Sequence, residues 1–121
     1  MKPVILIPTY NESIAIVELL NKLATLHNVR DFDVVVLDDN SPDQTADIVD
    51  SMNLPWVSVL RRPGKAGLGA AYRAGFAHVL SLNKYSKIVS MDADGSHQVE
   101  DLPAMLDATD SPISITLGTR W

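Results

Sequence analysis

Asp92 and Asp94 stand two residues apart in Met91-Asp92-Ala93-Asp94-Gly95-Ser96-His97, directly after an apolar run of strand length. Within a strand, side chains at i and i+2 share a face, and where the chain turns out of the strand both carboxylates can face one cation. Oxygen donors at this spacing suit a hard divalent ion, Mg2+ or Mn2+. An ion held there bridges diphosphate oxygens and neutralises charge on a departing nucleotide. The same letters also describe a turn rich in Asp and Gly that caps the next helix. His97 reads equally as a third ligand, a phosphate donor or a residue that packs the loop.

Four other segments carry polar groups of comparable interest. In Val36-Leu37-Asp38-Asp39-Asn40-Ser41-Pro42-Asp43 a pair of acids closes an apolar run. A carboxylate at such a position can accept hydrogen bonds from a ribose or a nucleobase. The segment is also a helix start, with Ser41 as N-cap and Pro42 at the first helical position. Adjacent carboxylates repel, so at least one of Asp38 and Asp39 requires a compensating partner. In Pro8-Thr9-Tyr10-Asn11-Glu12, Tyr10 can stack on a base or ribose and Glu12 can accept from one; alternatively Pro8 stops a strand and Asn11 or Ser13 caps a helix. Arg61-Arg62-Pro63-Gly64-Lys65-Ala66-Gly67-Leu68-Gly69 gathers three cations in an acidic chain. It is either a phosphate-binding loop before a helix N-terminus or a mobile solvated loop. Ala66 after Gly64-Lys65 rules out a Walker A loop. In Gly118-Thr119-Arg120-Trp121, Arg120 can hold a phosphate bidentately or fray as a surface arginine.

What must position these segments is legible from periodicity. Apolar runs at 4–7, 33–37, 56–60, 87–91 and 113–117 have strand length. They alternate with helical patterns over 13–26, 42–52, 66–82 and 99–106. The first helix should bury Ile16, Leu19, Leu20 and Leu23, and the second Ile48, Val49 and Met52. Alternation of this kind predicts an α/β fold in one domain over residues 1–121, with a mostly parallel sheet and helices on both faces. In such sheets ligands sit beyond the carboxyl ends of the strands. All five polar segments fall there, which predicts one composite site.

Composition narrows the function. The chain has 121 residues, 46% of them hydrophobic and 21% charged, with net charge −5 and pI about 4.9. The acidic balance argues against a nucleic-acid partner, which needs a basic face. The absence of cysteine excludes disulfides and thiolate zinc sites and suits a reducing, cytoplasmic compartment. No apolar run reaches the length of a membrane span.

Taken in order, Pro8-Thr9-Tyr10-Asn11-Glu12, Asp38-Asp39-Asn40-Ser41-Pro42-Asp43, Gly67-Leu68-Gly69-Ala70-Ala71-Tyr72, Met91-Asp92-Ala93-Asp94-Gly95-Ser96-His97 and Leu117-Gly118-Thr119-Arg120-Trp121 resemble the family 2 glycosyltransferases. These have the Rossmann-like GT-A fold, and the resemblance is strongest to the polyprenyl-phosphate (dolichyl-phosphate) mannosyltransferases. It covers essentially the whole chain. The resemblance implies transfer of mannose from GDP-mannose to a polyprenyl phosphate, with inversion at the anomeric carbon. It further implies that Pro8, Tyr10, Glu12, Leu37 and Asp39 contact the guanosine. By the same likeness Asp92 and Asp94 hold the Mg2+ or Mn2+ with the diphosphate, Ala93 lies close to the nucleotide, and Asp94 and Arg120 serve the reacting phosphates. A polyprenyl acceptor implies work at the cytoplasmic face of a membrane, with the protein peripheral to it. Ser96 departs from the glutamine common in the family, and Thr119 and Trp121 replace the usual Ser and Tyr. The family continues well beyond the last motif, so the chain is expected to be the truncated, nucleotide-sugar-binding part of such an enzyme. Two other classes share parts of the pattern. A receiver-type signalling module would also have β-α alternation and an Asp-Asp pair, but places the pair after the first strand. An inactive binding module would retain the same nucleotide pocket without turnover.

Overall fold

The computed structural model describes residues 2–63, 67–93, 102–107 and 115–117. In chain order the elements are β1 (Lys2–Thr9), α1 (Ser13–His27), β2 (Asp33–Asp38), α2 (Thr45–Ser51), β3 (Val57–Arg61), α3 (Leu68–Leu82), β4 (Tyr85–Ser90), α4 (Leu102–Asp107) and β5 (Ile115–Leu117). The strands pair in parallel in the order β3-β2-β1-β4-β5. This is the order of a Rossmann half, whereas a receiver module has 2-1-3-4-5. The topology therefore removes the receiver alternative.

Strand parity sorts the core into two layers. Ile5, Ile7, Val34 and Val36 face one side of the sheet, where α1 supplies Ile16, Leu19, Leu20 and Leu23 and α2 supplies Val49. Val4, Leu6, Val35 and Leu37 face the other, where α3 supplies Tyr72 and Val79. The change of face follows from the right-handed crossover rule. The chain steps outward from β1 to β3 with its helices on one side. It then reverses direction to reach β4, which sends α3 to the opposite side. The expected stripe on α1 is buried as a unit, while of the three α2 residues expected inward Val49 is buried, Ile48 is half-buried and Met52 packs at the margin. α4 joins the α1 face through Leu102 and Leu106. The buried Lys87 ammonium donates to the Leu106 carbonyl, at the helix end whose dipole favours a cation.

Pro8 does not stop β1, because pairing with β2 continues through Pro8↔Leu37 and Thr9↔Asp38. Pairing with β4 ends earlier, at Leu6↔Ser90, with the Met91 N–H donating to the Leu6 carbonyl at 3.0 Å. Pro8 shares the parity of Leu6, so its backbone faces β4, and it has no N–H to offer there. The β1 and β4 ends consequently part at the point where strand order reverses, where doubly wound sheets place their ligands. Among the described residues no helix is long and apolar enough to cross a membrane.

Candidate functional site

A cleft of about 140 Å³ opens at the carboxyl end of β1 and is lined by Pro8, Thr9, Tyr10, Glu12, Asp39, Gly67 and Ala71. Four of these, Pro8, Tyr10, Glu12 and Asp39, were expected from the sequence to meet at one site, and the fold brings them together. The volume falls below the roughly 300–1,000 Å³ of a complete small-molecule pocket, so these walls have room for only part of such a ligand. Tyr10 stands at the rim, 37% exposed. Glu12 folds back so that its Oε1 accepts from the Tyr10 N–H at 3.2 Å. Thr9, Gly67 and Ala71 belong to the motif segments, but the sequence assigns them no role of their own; Gly67 has φ +91° and begins α3 without a side chain, which keeps that wall open.

Hydrogen bonds stitch the turns after β1 and β2 together. Asp38 is 2% exposed. Its Oδ1 accepts from Thr9 Oγ1 at 2.8 Å and Ser41 Oγ at 2.6 Å, and its Oδ2 from the Ser41 N–H at 3.1 Å. Ser41 Oγ in turn accepts from the Asn11 N–H at 2.9 Å. The expected role of Ser41 as N-cap of α2 is therefore corrected. A buried carboxylate claims its hydroxyl, and α2 starts at Thr45 behind Gln44, which adopts left-handed φ +63°. Neither Asn11 nor Ser13 caps α1; the N-cap position is Glu12, which makes no side-chain cap bond.

Asp43 serves both helix starts. One carboxylate oxygen accepts from the Ser13 N–H at 3.1 Å, and the other from the N–H and hydroxyl of Thr45. Burial pushes its carboxyl up, but hydrogen bonds from the Thr45 hydroxyl and from Ser13 together outweigh that and hold it below the ordinary carboxylate range. A folded-state value below the unfolded one contributes stability that is present above the unfolded value and lost as pH falls through the folded one. Wild-type stability should thus decline on acidification below about pH 4, and D43N should decline less steeply over that window. Urea unfolding between pH 3 and 6 checks this; parallel acid limbs in the two proteins would remove Asp43 from the linkage.

Asp39 has the compensating partner that the acid pair demanded. Arg62 Nη1 lies 3.0 Å from its Oδ1, and the two side chains are 14% and 8% exposed. Arg61 Nη2 pairs with Asp47 and Asp50 at 3.0 and 2.6 Å. Both arginines of the basic loop are thus engaged by carboxylates; Gly64, Lys65 and Ala66 lie outside the described residues.

Asp92 follows β4 half-buried. The Tyr72 hydroxyl is pushed up to about 12, first by burial, against a lowering contribution from Ser90 and with a further rise from the Asp92 charge. The Asp92 carboxylate is therefore within electrostatic reach of α3, one residue from Ala71 in the cleft. Leu37 and Ala93 do not present side chains to the cleft. Leu37 is fully buried against α3 and Ala93 lies in the α1-side core, so any contact they make with a ligand is through backbone. Asp94, Ser96, His97 and Arg120 lie outside the described residues. Among the described residues no three potential ligands gather as a metal cluster.

Comparison with known proteins shows which family the chain resembles. The signature of Glycosyl transferase family 2 matches residues 4–121. Polyprenol monophosphomannose synthase of Mycolicibacterium smegmatis is 40% identical over 99% of this chain and 45% of its own length. Undecaprenyl-phosphate mannosyltransferase of Micrococcus luteus is 43% identical over 99% of this chain and 49% of its own. Dolichol-phosphate mannosyltransferase of Pyrococcus furiosus is 32% identical over 100% of this chain and 34% of its own. The chain thus spans half or less of the length of these relatives. The mannosyltransferase PcManGT of Pyrobaculum calidifontis, solved with GDP-Man and Mn2+, superposes with TM-score 0.67 at 23% identity over 85% of this chain and 30% of its own, a likeness of fold. With its sheet order, its strand-end motifs and a match across nearly all its residues, the chain belongs to glycosyltransferase family 2 and has the GT-A fold.

Proposed function

We propose that this chain is the nucleotide-sugar-binding part of a metal-dependent, inverting mannosyltransferase that moves mannose from GDP-mannose to a polyprenyl phosphate. The observation that carries this is the convergence of Pro8, Tyr10, Glu12 and Asp39 on one cleft at the end of the central strand. The names of the relatives and the ligands of the structural neighbour support the choice of donor and acceptor. Tyr10 stacks on the nucleoside, and Glu12 and Asp39 accept its hydrogen bonds.

Asp92, half-buried at the end of β4, and Asp94 two residues on form a donor set that fits a hard divalent ion. Mg2+ or Mn2+ held there would supply charge neutralisation of the leaving diphosphate. Arg120, which follows β5 in sequence, is assigned to the same phosphates. The acceptor phosphate is already anionic near neutrality, so no protein base has to deprotonate it. The work of the chain is alignment and electrostatic stabilisation. The acceptor places the reaction at the cytoplasmic face of a membrane.

GDP-mannose should raise thermal stability only with Mg2+ or Mn2+ present, by about 2.7 kcal/mol at a hundredfold excess over Kd. UDP-glucose should give less, and D94A should lose the metal-dependent part. Scanning fluorimetry reads all three. No shift with any nucleotide sugar, or an undiminished shift in D94A, contradicts the assignment.

A further inference from the structure

We propose that Arg62 is a positioning residue for donor recognition: its partly buried ion pair fixes the Asp39 carboxylate in the cleft so that one oxygen is held and the other is presented to the nucleoside. This rests on the proposed role of the cleft. Arg62 does not line the cleft; it approaches Asp39 from the far side, from a second cavity between β2, β3 and α2.

Both backbones are anchored beyond the strands. The register Asp38↔Arg61 makes Asp39 and Arg62 the next neighbours. The Arg62 N–H donates to the Asp38 carbonyl at 2.8 Å, and the Asp39 N–H to the Thr9 carbonyl at 3.3 Å. With the main chain fixed, the remaining freedom of Asp39 is its rotamer, and the guanidinium removes it by holding Oδ1. A binding group locked beforehand by such a supporting partner spares the ligand the ordering cost on binding. Arg61 differs. Its pairs with Asp47 and Asp50 are exposed on both sides, where ion pairs contribute little, and they do not touch a residue of the cleft.

The test is a double-mutant cycle on the full chain, titrating GDP-mannose in the presence of Mn2+ by calorimetry, with each variant held well below its own melting temperature. R62M should weaken binding about tenfold, within the range of direct pairwise coupling. D39A should weaken it at least as much, and R62M/D39A should bind no worse than D39A alone. R62K, which keeps the charge and serves where R62M folds poorly, should recover part of the loss. A purely structural contribution from Arg62 would weaken binding in both backgrounds, so multiplicative losses overturn the proposal, as does wild-type affinity in R62M. Wild-type affinity in D39A would instead show that Asp39 does not hold the nucleoside, leaving Arg62 nothing to position. Absence of binding by the wild-type chain would strike the proposed function itself.

Discussion

Replacing Asp38 with alanine is expected to destabilise the protein by about 3–5 kcal/mol. Hydrogen bonds to a charged group each contribute about 1.5–3 kcal/mol, and a donor left unpaired in the interior loses its desolvation as well. Asp38 accepts three side-chain-directed bonds while almost wholly buried, so Thr9 Oγ1 and the Ser41 N–H would lose their partner together. The loss also propagates, because Ser41 Oγ, oriented by Asp38, is the acceptor for the Asn11 N–H. The turn carrying Tyr10 and Glu12 would keep only the Asp39 N–H bond to the Thr9 carbonyl and the Asp43 bond to Ser13 as ties to the turn after β2. A domain stable by only about 5–15 kcal/mol would be brought near its unfolding limit at room temperature. D38N, which keeps the shape and one acceptor oxygen, should fall between the two. Urea denaturation measures both. A loss below about 1 kcal/mol in D38A would mean that water replaces the network without penalty, and the rim would not be held as described.

The acid pair illustrates how far the sequence carries. That one of Asp38 and Asp39 must be compensated followed from their adjacency. Which residues compensate them did not, because the answer depends on register. Arg62 lies 23 positions from Asp39 and becomes its neighbour only once β3 has paired with β2. The β-α alternation and the placement of the polar segments beyond the strands were legible, since both follow from periodicity that packing enforces. The errors cluster where one residue type serves two competing purposes. Ser41-Pro42 has the form of a helix start, yet the buried carboxylate of Asp38, three residues earlier, takes the Ser41 hydroxyl at 2.6 Å, and the helix starts later, at Thr45. Pro8 has the form of a strand terminator. It ends pairing on one side only, and in doing so parts β1 from β4. Leu37 and Ala93 were assigned to the nucleotide by resemblance, but their side chains occupy inward positions of the sheet and of the α1-side core. Residue identity within a motif does not tell whether side chain or backbone performs the task.

Leu37 instead sets how closely α3 approaches the sheet, and the second large effect is expected there. A Cβ at Gly75 would lie 2.8 and 3.0 Å from the two terminal methyls of Leu37 and 3.2 Å from one of Leu6. Both leucines are fully buried and cannot swing into solvent. Alanine at this position gains about 0.5–1 kcal/mol of helix preference over glycine. Overpacking a filled core loses about 1–3 kcal/mol, so G75A should be mildly destabilising. Valine adds two further methyls against the same leucines, and G75V should lose at least about 3 kcal/mol, the upper end of that range. The displacement also acts on the cleft, because Gly67 and Ala71 precede Gly75 by two turns and one turn on the same helix face. Lifting α3 widens the wall they form, so GDP-mannose affinity should fall in G75V even under conditions where the variant remains folded. Combining G75V with L37A removes the two methyls it strikes and should restore part of both stability and affinity, although L37A alone is destabilising. Strictly additive losses in the double variant would show that α3 already has room to move, and that its contact with Leu37 does not set the height of the cleft wall.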